Sequence, residues 1–241
     1  MAGASAERQE TGVVNAINNA VKANKKNPIT LVAGKTKLVG VVSANKFTGR
    51  QEGGSEPYTD VVIHLHDGKS VNCSLKGESA PSLAGGGLKG LELAVPGIAA
   101  KFLKTAFAKL NKMLNPGDKV PDVFGKITGT NKMKIVIGNK AMGGPIDFMY
   151  IGKMDVSSKY DAKTNTLTIS NGQLIPAKTY ANEHDLYFRL RARREDQRFD
   201  PNAKDKAGVP KIYGVSPSKG DSAGRIVVTD KVPSTGVIVN I

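Results

Sequence analysis

The sequence has one cysteine, comparatively few acidic residues and no long hydrophobic run. The single thiol, Cys73, excludes an intramolecular disulfide. No apolar stretch approaches the roughly 18–20 residues that a membrane-spanning helix needs. The first residues, MAGASAERQE, lack the apolar segment of a secretory signal peptide. We therefore expect a soluble protein without membrane attachment, in a reducing or indifferent compartment inside a cell.

Acidic residues are outnumbered, since 21 Asp and Glu face 35 Lys and Arg, for a net charge of +14 over 241 residues. Such an excess indicates a polyanionic partner, and nucleic acid is the commonest one. A basic protein without any such partner is the alternative, because charge alone specifies neither fold nor chemistry. The length suits one large domain or two small ones.

Hydrophobic periodicity and turn residues predict a mixed α/β (α+β) fold. The order is helix, antiparallel strands, helix, strand over residues 1–140, followed by a β-rich extension at 141–241 packed on that core. Helices are predicted at 6–24 and 96–114, with a glycine-rich loop at 77–92. Strands are predicted at 37–43, 60–66, 70–76, 134–138, 146–152, 166–172, 185–194, 225–230 and 236–241.

The first helix carries a carboxylate on its apolar stripe. Glu10 lies four residues before Val14 and seven before Ile17, so it shares their face. A carboxylate on a core-facing stripe is costly unless something pairs with it.

The two strands around Asp67-Gly68 form a predicted hairpin with one apolar face, made by Val61, Ile63, Leu65, Val71, Cys73 and Leu75. Because side chains alternate along a strand and cross-strand partners share a face, Asp60 falls on the other face with Ser74 and Lys76. Glu78 has the same parity. If the first helix packs on that side, Glu10 reaches the same place.

Two or three carboxylates beside one lysine make a plausible site for a hard cation, because Mg²⁺ takes oxygen ligands and keeps several waters. The lysine can orient a water or stabilise developing negative charge. The alternative is structural: Asp60 caps the start of its strand, and Lys76 is a solvated end residue.

At these residues the sequence resembles the PD-(D/E)xK nuclease superfamily. Asp60, Lys76 and Glu10 match the superfamily's strand aspartate, its lysine and the helical glutamate of many members. The resemblance covers about residues 6–138. It implies a Mg²⁺-dependent DNA endonuclease in which Asp60 and Glu10 hold the metal, helped by the carbonyl of Leu75, and Lys76 positions the attacking water.

The sequence departs from that pattern at Ser74, where the superfamily has an acid two residues before the lysine. Either Glu78 or Glu10 substitutes, or the chain is a non-catalytic DNA-binding or virion protein on a nuclease-like fold. The stretches EPYTDVVI, VNCSLKG and AGGGLKG also resemble proteins encoded by tailed phages. That resemblance implies a location in the host cytoplasm or the virion, with virion proteins or a second copy of the chain as partners besides DNA.

A basic segment at 186–198 alternates apolar residues with arginines, as a strand with one arginine-rich face would. Arginine suits phosphate oxygens and guanine edges. We predict DNA contacts there and at the glycine-rich loop, from Arg189, Arg191, Arg193, Arg194 and Lys89. The alternative for the strand is an edge protected by charge.

Overall fold

The chain folds into a mixed α+β structure, described by a computed structural model at residues 4–49, 57–78, 87–191, 198–202, 225–234 and 238–241, with the backbone alone at 87–89, 191 and 225. Its elements are, in order, α1 (Ala4–Ala23), β1 (Ile29–Ala33), β2 (Thr36–Lys46), β3 (Val61–Leu65), β4 (Ser70–Gly77), α2 (Gly87–Ala94), α3 (Ile98–Met113), β5 (Asp122–Ile127), α4 (Thr130–Ile137), β6 (Phe148–Gly152), β7 (Ser158–Asp161), β8 (Thr166–Ile169), β9 (Gly172–Pro176), α5 (Ala177–Glu183), β10 (Leu186–Arg191), β11 (Arg225–Thr229) and β12 (Ile238–Asn240).

The chain divides into two compact units, and each is assembled from two separate segments. The first comprises Met1–Pro81 and Lys132–His184, and the second comprises Ser82–Asn131 and Asp185–Ile241. These units therefore differ from the predicted ranges 1–140 and 141–241.

The first unit is built on an eight-stranded mixed sheet in the described part of the chain, in the order β7-β8-β1-β2-β3-β4-β6-β9. Strands β1 to β4 are antiparallel neighbours, whereas β6 runs parallel to β4 and β8 runs parallel to β1. The side chain of Thr36 donates to the carbonyl of Leu174 on β9, so one edge of the sheet reaches the β1–β2 turn.

The predicted hairpin is confirmed, with Val61 opposite Cys73 and Ile63 opposite Val71. Its turn is closed locally, because the Asp67 carboxylate accepts the N–H of Lys69 and Gly68 takes a positive φ of 80°. Apolar side chains of both strands belong to the buried core, as the alternation requires.

Helix α1 packs on the apolar face of this hairpin, so the condition under which Glu10 would lie directly over the Asp60 face is not met. Val13 and Ile17 join Val61 and Cys73 in one core. Burying one aliphatic side chain completely stabilises the fold by about 1.5–3 kcal/mol. Burial of apolar surface therefore decides on which face of the sheet the helix packs.

The predicted strand at 134–138 is also wrong, since this segment is helix α4. Ile135 and Val136 are both buried in it, and Gly138, with a φ of 69°, follows the last turn and donates to the carbonyl of Lys134. A short apolar run fits a buried helix as well as a strand. The parallel neighbour of β4 is β6, within the predicted strand 146–152.

The second unit contains a four-stranded sheet in the order β11-β10-β5-β12, as far as the chain is described. The Phe102 ring of α3 packs against that of Phe188 on β10, with centroids 5.0 Å apart. The predicted loop 77–92 is wrong at its end, where α2 begins. Glu92 of that helix accepts the N–H groups of Ala99 and Ala100 and so caps α3.

Candidate functional site

Asp60 precedes β3 and faces Ser74, as the alternation predicts. Its backbone N–H donates to the carbonyl of Cys73 at 2.9 Å, and its own carbonyl accepts the N–H of Phe47 at 2.9 Å. The carboxylate oxygen Oδ2 accepts the Ser74 hydroxyl at 3.1 Å and the N–H of Leu75 at 2.6 Å. Asp60 therefore extends the ladder beyond β3 with its side chain.

The same oxygen of Asp60 lies 3.7 Å from Nζ of Lys76. Both side chains are mostly buried, with 23% of Asp60 and 21% of Lys76 exposed. Within the described part of the chain, these three contacts all fall on Oδ2, and Oδ1 of Asp60 has no hydrogen-bond partner. One carboxylate oxygen thus makes all the contacts that fix the Asp60 side chain in the described part of the chain.

Glu10 lies in the N-terminal half of α1, and its carboxylate interacts electrostatically with that of Asp60. Its carboxylate lies 3.6 Å from Nζ of Lys46, and 18% of its side chain is exposed. Burial raises the pKa of Glu10, and the negative charge of Asp60 raises it further, while Lys46 lowers it. The two carboxylates are therefore close enough to repel each other, which is the electrostatic setting that a cation relieves.

Lys46 was not among the predicted site residues, and the sheet register explains its place. It pairs with Val61 across β2 and β3, so it lies on the face that α1 covers. It also reaches the carboxylate of Glu7 at 3.9 Å.

Gln9 is a second residue near the candidate site that was not predicted from the sequence. Its side chain is 1% exposed, and its Nε2 contacts the carbonyls of Lys76 at 3.2 Å, Gly152 at 2.9 Å and Lys153 at 3.3 Å. It therefore ties α1 to the ends of the parallel strands β4 and β6. Helical spacing could have identified Gln9 as buried, because it lies four residues before Val13 and eight before Ile17 on the buried stripe.

Glu78 does not join Asp60 and Glu10 through a hydrogen bond or an ion pair in the described residues. It is exposed just after β4, and its charge adds to the burial that raises the pKa of Tyr150 to about 12. Nor does any group of three His, Cys, Asp or Glu side chains in the described chain have the arrangement of a metal site. A cation here would rest on Asp60, Glu10, main-chain carbonyls and water.

The predicted basic strand is β10, and its alternation is confirmed from Leu186 to Leu190, where the apolar residues are buried. Arg189 forms two hydrogen bonds to one oxygen of Asp122 and lies over the ring of Phe124. The side chains of Arg191 and Lys89, and the whole of Arg193 and Arg194, lie outside the described residues. DNA contact by these five residues stays a prediction.

No protein-family model, no curated protein and no solved structure matches this chain. In the described part of the chain, no helix combines the length and the apolar character needed to cross a membrane.

Proposed function

We propose that the protein is a Mg²⁺-dependent DNA endonuclease that hydrolyses phosphodiester bonds. The observation that carries the proposal is the ion pair of Asp60 with Lys76 at 3.7 Å, together with the electrostatic repulsion between the carboxylates of Asp60 and Glu10. The net charge of +14 supports a polyanionic substrate. Titratable groups with a perturbed pKa, such as Glu10, cluster at functional sites.

The order of elements in the first unit supports a core of the PD-(D/E)xK type. Helix α1 is followed by the antiparallel strands β1, β2, β3 and β4, and β6 then lies parallel beside β4. Between β4 and β6 the chain forms α2 and α3, which belong to the second unit, and then α4. The same proposal includes a location in the host cytoplasm or the virion and a relationship to proteins encoded by tailed phages.

The residues present fit a single Mg²⁺ with water in its remaining positions. Oδ1 of Asp60 and the carboxylate of Glu10 would hold it, with a main-chain carbonyl such as that of Leu75. When bound, the metal would polarise the phosphate and lower the pKa of a water ligand. Lys76 would orient the attacking water and stabilise the charge that develops on the phosphate oxygens.

Ser74 stands where a PD-(D/E)xK nuclease would have an acid, and it contacts Asp60 through its hydroxyl. Its side chain is buried, and its hydroxyl donates to Asp60 at 3.1 Å, so it orients the carboxylate where an acid would otherwise bind metal. This hydrogen bond holds Oδ2 in place and leaves Oδ1 for the cation.

A second function is favoured by the contacts of Asp60 Oδ2. That oxygen already satisfies the N–H of Leu75 and the hydroxyl of Ser74, which a purely structural strand cap would also do. The corresponding function is a non-catalytic DNA-binding or virion component on a nuclease-like fold.

Plasmid cleavage separates the two functions. Supercoiled plasmid is incubated with wild type in Mg²⁺, in EDTA, and with the variants Lys76→Met and Lys69→Met. Lys69 is the matched control, since it is an exposed lysine of the same hairpin, paired with Asp67 at 2.9 Å. The nuclease predicts nicking in Mg²⁺ alone, lowered about 10²-fold or more by Lys76→Met and unchanged by Lys69→Met.

Salt-sensitive binding of the plasmid without any cutting, in Mg²⁺ or Mn²⁺, would contradict the nuclease and support the non-catalytic function.

A further inference from the structure

We propose that two loops of the first unit form a docking surface for the phosphate backbone of duplex DNA. The surface, called here the lysine patch, consists of Lys22, Lys25, Lys26 and Lys163. This inference extends the proposed function by placing a substrate contact away from Asp60 and Glu10, and it rests on DNA being the partner.

Sheet topology brings the two loops together. Strand β1 runs parallel to β8, with Thr30 opposite Thr166, so the segments that precede these strands lie at the same end of the sheet. The N–H of Thr30 donates to the carbonyl of Asn165 at 2.9 Å. Residues 24–28, which follow α1, therefore neighbour residues 162–165.

The backbone of both loops is left-handed at residues other than glycine. Lys25 has a φ of 53°, Lys26 of 66° and Asn165 of 50°, and these are the non-glycine residues with positive φ in the described chain. Side chains disfavour this region, which glycine and, to a lesser degree, asparagine adopt readily. Such strain concentrates where function fixes a residue, so its occurrence at two successive lysines directs attention to their side chains.

The helix terminus explains only part of this arrangement. The N–H of Lys26 donates to the carbonyl of Val21 and that of Lys25 to the carbonyl of Lys22, which closes the last turn of α1. A lysine near a helix C-terminus also interacts favourably with the helix dipole. Neither effect requires lysine at the left-handed positions themselves, where glycine would close the turn with less strain.

The charge of the patch is not neutralised by its surroundings. All four lysines are exposed, and their ammonium groups form no ion pair with the residues that the structure describes. The nearby Asp161 carboxylate accepts the N–H of Lys163 and the hydroxyl of Thr164, and its single negative charge is outweighed by the four lysines. The patch therefore presents an excess of positive charge to solvent.

Duplex DNA fits the patch better than a membrane does. Of the described residues, the exposed large hydrophobic side chains are Val39 and Met113, and neither belongs to these loops, so nothing here would insert into lipid.

Glu10 lies 13 residues before the end of α1, which corresponds to about 20 Å of helix. That distance equals about six base pairs of duplex, at 3.4 Å each.

The test uses substitutions that separate charge from strain. The loss of charge should lower the affinity for DNA, whereas the relief of backbone strain should preserve or raise the stability. The double variant Lys25→Gly, Lys26→Gly removes two charges and relieves the left-handed strain. Affinity for a 24-base-pair duplex is measured in EDTA, where no metal-dependent cleavage occurs, over a range of salt. We expect affinity to fall about tenfold, the slope of log K against log salt to shrink by about two, and Tm to stay equal or rise.

Two further variants serve as controls. Lys25→Arg, Lys26→Arg keeps the charge and should keep wild-type affinity. Lys35→Gln, Lys37→Gln removes two exposed lysines at the β1–β2 turn, at the other end of β1, and should change affinity about twofold or less.

Wild-type affinity and salt slope in the glycine variant would overturn the lysine patch, as would an equal loss in the Lys35, Lys37 control. Because binding is measured without metal, these outcomes are independent of cleavage. Plasmid that is bound but never cut would contradict the nuclease and leave the patch standing, whereas a wild type that binds no duplex would overturn both.

Discussion

The side-chain amide of Gln9 lies 3.2 Å from the carbonyl oxygen of Lys76, so a buried residue of α1 holds the strand end that carries the candidate catalytic lysine. The same amide contacts the carbonyls of Gly152 and Lys153. Gln9 therefore links α1 to the ends of β4 and β6. It sets the spacing between the helix that bears Glu10 and the strand that bears Lys76.

Replacing Gln9 with leucine should lower the free energy of unfolding by about 1–3 kcal/mol, because buried carbonyls lose their donor. Gln9→Glu should be worse at neutral pH than at pH 4, since a buried carboxylate facing carbonyl oxygens favours its protonated form. Urea denaturation at the two pH values measures both effects.

The matched control for Gln9 is Asn18→Leu. Asn18 also bridges α1 to a strand, through the N–H and carbonyl of Ala44, but away from Lys76. Both variants should lose stability, whereas Gln9→Leu alone should lower the cleavage rate under conditions where both are fully folded. Equal cleavage by the two variants would show that Gln9 has only a structural role.

Glu10→Gln should stabilise the metal-free protein at neutral pH. The folded pKa of Glu10 is raised by burial and by Asp60, so its ionised form is disfavoured in the fold. This penalty is absent well below the ordinary pKa of 4.5, grows as pH rises above 4.5, and is complete above the raised pKa of the folded state. Thermal unfolding of wild type and variant should therefore coincide near pH 3 and separate towards pH 7.

A variant that is less stable than wild type at pH 7, with a difference that vanishes near pH 3, would instead mean that the ion pair of Glu10 with Lys46 outweighs the burial of the carboxylate.

Ser74→Asp adds the acid that the proposed PD-(D/E)xK site would have at this position. Because Ser74 is buried beside Asp60, the new carboxylate should lower Tm in EDTA. Saturating Mg²⁺ should restore most of the loss, since a ligand that binds the folded state alone adds about 2.7 kcal/mol at a hundred times its Kd. Differential scanning fluorimetry with and without Mg²⁺ measures this, and Ser70→Asp on the exposed part of β4 is the control.

A Tm that stays low in Mg²⁺ for Ser74→Asp would show that no cation binds beside Asp60.

The sequence was sufficient for the hairpin and for the pairing of Asp60 with Ser74 and Lys76. A strict period of two fixes which residues share a face, and it is independent of long-range structure. The same logic could not place helix α1, because its apolar stripe reveals that it packs but not on which face of the sheet. The structure places it on the face of Val61 and Cys73.

Short segments were the other limit. Residues 134–138 have a strand-like composition, but five residues do not establish a period, and burial of Ile135 and Val136 is satisfied equally by a helical turn. Strand β6 was predicted within 146–152, yet only the structure shows that it pairs with β4 beside the candidate site. Contacts such as those of Gln9 with Gly152 span more than a hundred residues and have no local signature.

The most direct measurement is the location of a divalent cation in crystals of the protein soaked in Mn²⁺, with Asp60→Asn crystals as the control. The proposed site predicts an anomalous difference peak within coordination distance of Asp60 Oδ1 and a Glu10 carboxylate oxygen, with Nζ of Lys76 nearby and no peak in the variant. Wild-type crystals at saturating Mn²⁺ with no ion bound by these two carboxylates would contradict it.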